Sequence, residues 1–266
     1  MQEPESARLG FFFACIFSVK NTHAIFLSLE NYGPIDYLII MKITFLGHAC
    51  FLVECNGSKL LFDPYISPNP LAQTVDIDAI KADYILLSHG HYDHVADVAR
   101  IYHNHPATII TNLEIINWYK KIDITRSLPI KPGGKRVLDF GTIKAVHEPH
   151  SSSMPDGSYA GCAMGFVIQS EGKAFYFAGD TTLHQDMKQI SLFYDIDFAI
   201  LPIGDTFTMG IEEALYAADY VGTKKIIGMH YDSFPGIEID HEAVKQIAEK
   251  RGKTLILMNV GQTTEF

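Results

Sequence analysis

Tyr84-Ile85-Leu86-Leu87 is apolar throughout, and one serine later the chain reads His89-Gly90-His91-Tyr92-Asp93-His94. A strand without polar alternation is buried on both faces, so the chain must cover it from two sides. The flanking sequence supplies the cover. Short β-branched runs at 42–46, 50–54 and 59–62 come first, the last two joined by an Asn56-Gly57 hairpin turn. Strands are then expected at 107–110, 142–147, 163–169, 173–178, 197–201, 225–229 and 254–258. Helices are expected at 76–82 and through Val95, Val98, Ala99 and Tyr102. Another is opened by Asn112, one runs from Ile211 to Val221 before Gly222, and one is capped by Asp240. Hairpins followed by alternating strands and helices predict an α/β fold, two packed sheets with helices outside.

The chain has material for such a core: 266 residues, 47% hydrophobic and 20% charged. Its net charge of −10 argues against a broad phosphate-tracking surface, so no nucleic-acid partner and no basic arm are expected. Four cysteines without a CxxC pair do not form a disulfide framework. They read as free thiols in a reducing compartment, the cytoplasm.

Residues 1–40 differ from the rest. The run Leu9–Val19 is apolar but only 11 residues long, about 16 Å as a helix and too short for a bilayer core of ~30 Å. Two glutamates precede it, unlike the basic start of a signal peptide. The first buried strand begins at Met41. Residues 1–40 are therefore expected to be a poorly ordered extension without a stable membrane anchor, and 41–266 the functional domain.

His89 and His91, two apart in an extended segment, point the same way. Asp93 and His94 sit where the next helix starts. Packing gives no reason for four such side chains at the end of a buried strand. His150, Asp180 and His230 also follow strands, at 142–147, 173–178 and 225–229. Imidazole and carboxylate donors without thiolate suit zinc, manganese or iron. His147 competes with His150. Asp63 reads either as a carboxylate orienting an imidazole or as an ordinary Asp-Pro turn. His48 reads either as a cleft-facing substrate contact or proton donor, or as a hydrogen-bonded structural histidine. His103, His105, His184 and His241 read as solvated, and Cys50 and Cys55 as core thiols.

The pattern HxHxDH followed by separate His, Asp and His resembles the metallo-β-lactamase superfamily over essentially all of 41–266. Gly47-His48-Ala49, Asp63-Pro64-Tyr65, His150-Ser151-Ser152, Gly179-Asp180-Thr181, Leu201-Pro202-Ile203-Gly204 and His230-Tyr231-Asp232-Ser233-Phe234-Pro235 resemble its uncharacterised bacterial metal-dependent hydrolases. That branch is similar to ascorbate-6-phosphate lactonase. The resemblance implies an αββα sandwich. It implies one divalent ion on His89, His91 and His150, a second on Asp93, His94 and His230, and Asp180 bridging. The Pro149-His150-Ser-Ser context favours His150 over His147. Two Zn2+ are expected, with Mn2+ or Fe2+ as alternatives. The implied reaction is hydrolysis of a small ester, lactone or phosphodiester by a hydroxide shared between the ions, with Asp93 and His48 as catalytic candidates. An iron-dependent dioxygenase, a nuclease and a catalytically silent scaffold are the competing readings. Loops 64–75 and 151–162 are expected to wall the cleft.

Overall fold

A computed structural model describes residues 41–266; the expectation for 1–40 lies outside the described residues. Two seven-stranded sheets carry the fold. The first comprises β1 (Lys42–Gly47), β2 (Cys50–Cys55), β3 (Ser58–Phe62), β4 (Tyr84–Leu86), β5 (Thr108–Thr111) and β6 (Ser127–Pro129), with β14 (Thr263–Glu265) beside β1. The second runs in chain order from β7 (Lys135–Leu138) through β8 (Gly141–His147), β9 (Met164–Ser170), β10 (Lys173–Phe177), β11 (Phe198–Pro202) and β12 (Lys225–Met229) to β13 (Thr254–Ile256).

Each sheet is half antiparallel and half parallel. β14, β1, β2 and β3 alternate in direction, and β3 to β6 run parallel. β7 to β10 alternate, and β10 to β13 run parallel. β1, β3 and β4 therefore point one way in the first sheet, and β8, β10 and β12 one way in the second. The C-terminal ends of each trio share one edge of their sheet.

The alternation of side chains builds two apolar layers. Leu60, Phe62, Leu86 and Ile110 face the second sheet, where the Phe62 ring lies 4.7 Å from Phe177 and 5.9 Å from Phe175. Leu61, Ile85, Leu87 and Ile109 face the other way. They pack on Val98 and Ile101 of α2 (Val98–Asn104) and on Ile115 and Tyr119 of α3 (Leu113–Lys120). The second sheet is covered by α5 (Ile211–Val221), which buries Ala214, Leu215 and Ala218, and by α6 (His241–Lys250). Asn112 caps α3 by accepting from the Ile115 N–H at 3.0 Å, and Gly222 ends α5 at φ +84°.

Three expectations change. The helix at 76–82 is a single 3-10 turn, Ile77–Ala79: Asp76 caps it, but Ile80 turns extended at ψ 122°. The helix through 95–102 is two pieces, α1 (Tyr92–Val95) and α2, separated at Asp97. There the Asp97 carboxylate leaves the helical pattern to accept the N–H groups of Ile66 at 2.6 Å and Ser67 at 2.9 Å, which ties down the loop after β3. β6, β7, β14 and the one-turn α4 (Lys188–Ser191) are additions. The three strands are short edge segments with polar or half-exposed side chains, so they carry no apolar run.

Candidate metal centre

Asp63 follows β3 with φ +40°, and its N–H donates to Leu86 O at 3.1 Å. Its carboxylate is fully buried. Oδ1 accepts the Ser88 N–H at 2.8 Å, and Oδ2 accepts the Ser88 hydroxyl at 2.5 Å and lies 2.8 Å from His94 Nδ1. Ser88 Oγ is also 3.0 Å from His89 Nδ1. One carboxylate thus orients His94 directly and His89 through a serine, turning both Nε2 atoms outward. Burial pushes the Asp63 carboxyl up, and the bonds from His94 and Ser88 counter only part of that rise.

The outward nitrogens converge in two groups. His89, His91 and His150 form one, with His89 Nε2 3.0 Å from His91 Nδ1. Asp93, His94 and His230 lie in the other, together with His48. Asp180 reaches both. Its Oδ1 is 3.3 Å from His94 Nε2, and its Oδ2 is 3.1 Å from His230 Nε2, 3.5 Å from His150 Nε2 and 3.9 Å from His89 Nε2. The edge of a tetrahedron around an ion with 2.0–2.1 Å bonds is about 3.3–3.4 Å, and the spacings to His94, His230 and His150 are of that size, that to His89 being longer. His94 Nε2 and Asp180 Oδ1 are buried and hydrogen-bonded to nothing. An orphaned buried polar atom costs about 1–3 kcal/mol, and two orphans facing one point mark a place for a cation.

Charge agrees with geometry. Burial opposes ionisation of Asp180, yet His230 and His94 hold its carboxyl well below the usual range. Asp93 is likewise held low against burial by His94, His230 and His48. Burial lowers His230, but Asp180 lifts it to about 9. His89 is pushed down by burial and by His94 beside it. The two carboxylates therefore demand positive charge where the imidazoles meet.

The backbone is bent to achieve this. His48, Asp63 and His230 have φ of +56°, +40° and +57°, left-handed conformations that cost roughly 1–2 kcal/mol each in a residue with a Cβ. The His230 N–H donates to His48 O at 3.0 Å, joining the ends of β12 and β1. Gly204 makes room: a Cβ there would lie 2.1 Å from His230 O.

Among the described residues, the cleft at this point is lined by His91, Asp93, His150, Ser151, Asp180, Phe207, His230 and Phe234, and encloses about 320 Å³. The Phe207 and Phe234 rings are 6.1 Å apart. Among the described residues, no Lys or Arg lines it. Only Ser151 comes from the loops expected to form the walls; Phe207 and Phe234 follow β11 and β12 instead. A larger cavity of about 630 Å³, beside His147, Glu148 and His184, contains none of the clustered donors.

His150, not His147, joins the cluster; His147 is exposed at the end of β8. Of the two readings of His48, the structure gives a buried, hydrogen-bonded side chain, with Nδ1 2.6 Å from Ser233 Oγ. It lies against the rings of Tyr65 and Phe234, at a backbone φ of +56°. His184 is not solvated but half-buried, its Nε2 3.0 Å from Glu148 Oε2. Cys50 and Cys55 are buried free thiols, and Cys162 is an exposed one. The contacts of Ser88, Ser233 and Glu148 are not readable from the sequence, although Ser233 belongs to the His230–Pro235 motif. Glu148 accepts the Tyr176 hydroxyl at 2.5 Å as well as His184, a buried link beside the loop that carries His150.

Residues 58–231 match the model of the Beta-lactamase superfamily domain. A UPF0173 metal-dependent hydrolase of Flavobacterium johnsoniae is 48% identical over 227 residues, covering 85% of this chain and 100% of that protein. The chain belongs to the UPF0173 metal-dependent hydrolases of the beta-lactamase superfamily. Igni18, described as a novel metallo hydrolase from the archaeon Ignicoccus hospitalis, is 33% identical with a TM-score of 0.77, over 85% of this chain and 98% of that one. CmlA, a diiron beta-hydroxylase from Streptomyces venezuelae, shares the fold at 12% identity and a TM-score of 0.65, over 86% of this chain and 54% of that one. All seven donors from His89 to His230 lie inside the matched segment of this UPF0173 member, and His48 lies before it. Among the described residues, no helix is long and apolar enough to cross a membrane.

Proposed function

We propose that this metal-dependent hydrolase cleaves a small ester, lactone or phosphodiester at a centre of two divalent ions. His89, His91 and His150 would hold one ion, Asp93, His94 and His230 the other, and Asp180 both. The observation that carries the reading is the Asp180 carboxylate, whose oxygens lie 3.1–3.9 Å from imidazole nitrogens of both groups. Zinc suits the sulfur-free nitrogen and oxygen donors, as manganese and iron also do.

Such ions, when bound, supply Lewis acidity and lower the pKa of a water toward neutrality. The side chains do the positioning. Asp93 is buried except for a quarter of its side chain, which faces the cleft. From there it accepts a hydrogen bond from the attacking water and fixes its direction. Asp63 and Ser88 hold His94 and His89 in one orientation. Phe207 and Phe234 cover an apolar portion of the substrate. With no Lys or Arg on the cleft wall among the described residues, an uncharged ester or lactone is favoured within the proposed range. The free thiols support a reducing compartment such as the cytoplasm.

Purified protein should hydrolyse members of a panel of uncharged esters and lactones, with phosphodiesters as the comparison arm. Iron-dependent oxidation is the second reading, supported by a donor set that iron also accepts. Turnover that requires oxygen and one iron per chain would replace the hydrolytic reading.

A further inference from the structure

We infer that His48 is a protein ligand of the ion assigned to Asp93, His94 and His230, and is not a substrate contact. This rests on the reading of the cluster as a metal centre. Its first support is position. His48 is 0% exposed and is not among the residues that line the cleft, which sets it behind the cleft wall.

The second support is the direction of its ring. Nδ1 is held by Ser233 Oγ at 2.6 Å, across 185 residues of sequence. That bond sets the orientation of the ring and aims Nε2 at the cluster. Nε2 lies 3.2 Å from Asp93 Oδ2 in an ion-pair contact but makes no well-aligned hydrogen bond. His230 Nε2 and His94 Nε2 face the same oxygen at 3.7 and 4.0 Å. Three imidazole nitrogens thus surround one carboxylate oxygen, His48 nearest at 3.2 Å, close to the about 3.3–3.4 Å edge of a tetrahedral site, and the other two farther out. Their rings gather accordingly, with His48 4.1 Å from His230 and 5.4 Å from His94.

The third support is the backbone. His48 is left-handed at φ +56°, and its carbonyl accepts the N–H of His230, itself one of the converging donors. A structural histidine needs neither the strained turn nor an unpartnered nitrogen. With His48 included, this group has four protein donors besides Asp180, whereas the other has three.

The test is titration of metal-free full-length protein with Co2+, read by visible absorption and by competition with a chelator. His48→Ala and His48→Asn are compared with wild type, the second because asparagine tolerates the left-handed turn. Both should weaken one Co2+ equivalent by more than the about 10–100-fold typical of losing an outer partner, and should alter its absorption bands. Ser233→Ala should weaken the same equivalent within that smaller range. Unchanged affinity and bands in His48→Asn would overturn the inference and leave His48 as a group that merely steadies Asp93. A wild type that takes up one Co2+ contradicts the two-ion reading, while the same comparison of bands still decides His48.

Discussion

His94 Nδ1 lies 2.8 Å from Asp63 Oδ2, and neither side chain is exposed to solvent. The same carboxylate takes two bonds from Ser88, which touches His89. Two imidazoles from one motif are thus steered by an aspartate 26 and 31 positions earlier. Asp63→Ala leaves the Ser88 N–H and His94 Nδ1 unpaired in the interior. Metal affinity should fall by about 10–100-fold. Chelator competition checks this; wild-type affinity in a folded variant would remove Asp63 from the account.

Asp180 tests the bridge. Asp180→Asn keeps shape but loses charge between the two groups. The variant should keep its fold and at least one metal ion, with turnover reduced by a factor on the order of 10² or more. Asp205, in the loop after β11 and outside both groups, is the control. Steady-state rates and metal content of Asp180→Asn and Asp205→Asn should separate clearly.

His150→Ala should lose metal, whereas His147→Ala should retain it. His150 Nε2 is 3.5 Å from Asp180, while His147 sits outside the donor groups. Elemental analysis of the two variants decides, and the reverse pattern would transfer the role to His147.

Phe207 is 56% exposed over the cleft, with its ring 6.1 Å from that of Phe234. Covering a substrate's apolar group with a ring is worth about 1.5–3 kcal/mol when burial is complete. Phe207→Ala should therefore lower kcat/KM for bulky apolar esters by roughly 10-fold, and leave acetate esters nearly unchanged. An equal effect on both would show that the ring does not select substrate.

The parts legible in the sequence were those with strong local signals. Ile85 and Leu86 announce a buried strand by composition, and His89 to His94 announce donors because such residues have no packing reason to end one. His150, Asp180 and His230 follow strands in the same way. What stayed hidden depends on partners distant in sequence. Nothing near Ser233 shows that it meets His48, and nothing near Glu148 shows that it meets Tyr176 and His184. The helix break at Asp97 belongs to the same class, since its cause is the loop at Ile66 and Ser67. Phe207 and Phe234 were missed as walls because a loop's path over the sheet edge is set by tertiary packing.

The most direct test of the account is the metal content of the purified full-length protein, measured by elemental analysis alongside ester and lactone hydrolysis before and after chelation. Two divalent ions per chain are expected, with hydrolysis lost on their removal and restored on adding Zn2+ or Mn2+. Hydrolysis that persists in metal-free protein, or a folded chain that binds no divalent ion at micromolar concentration, would contradict it.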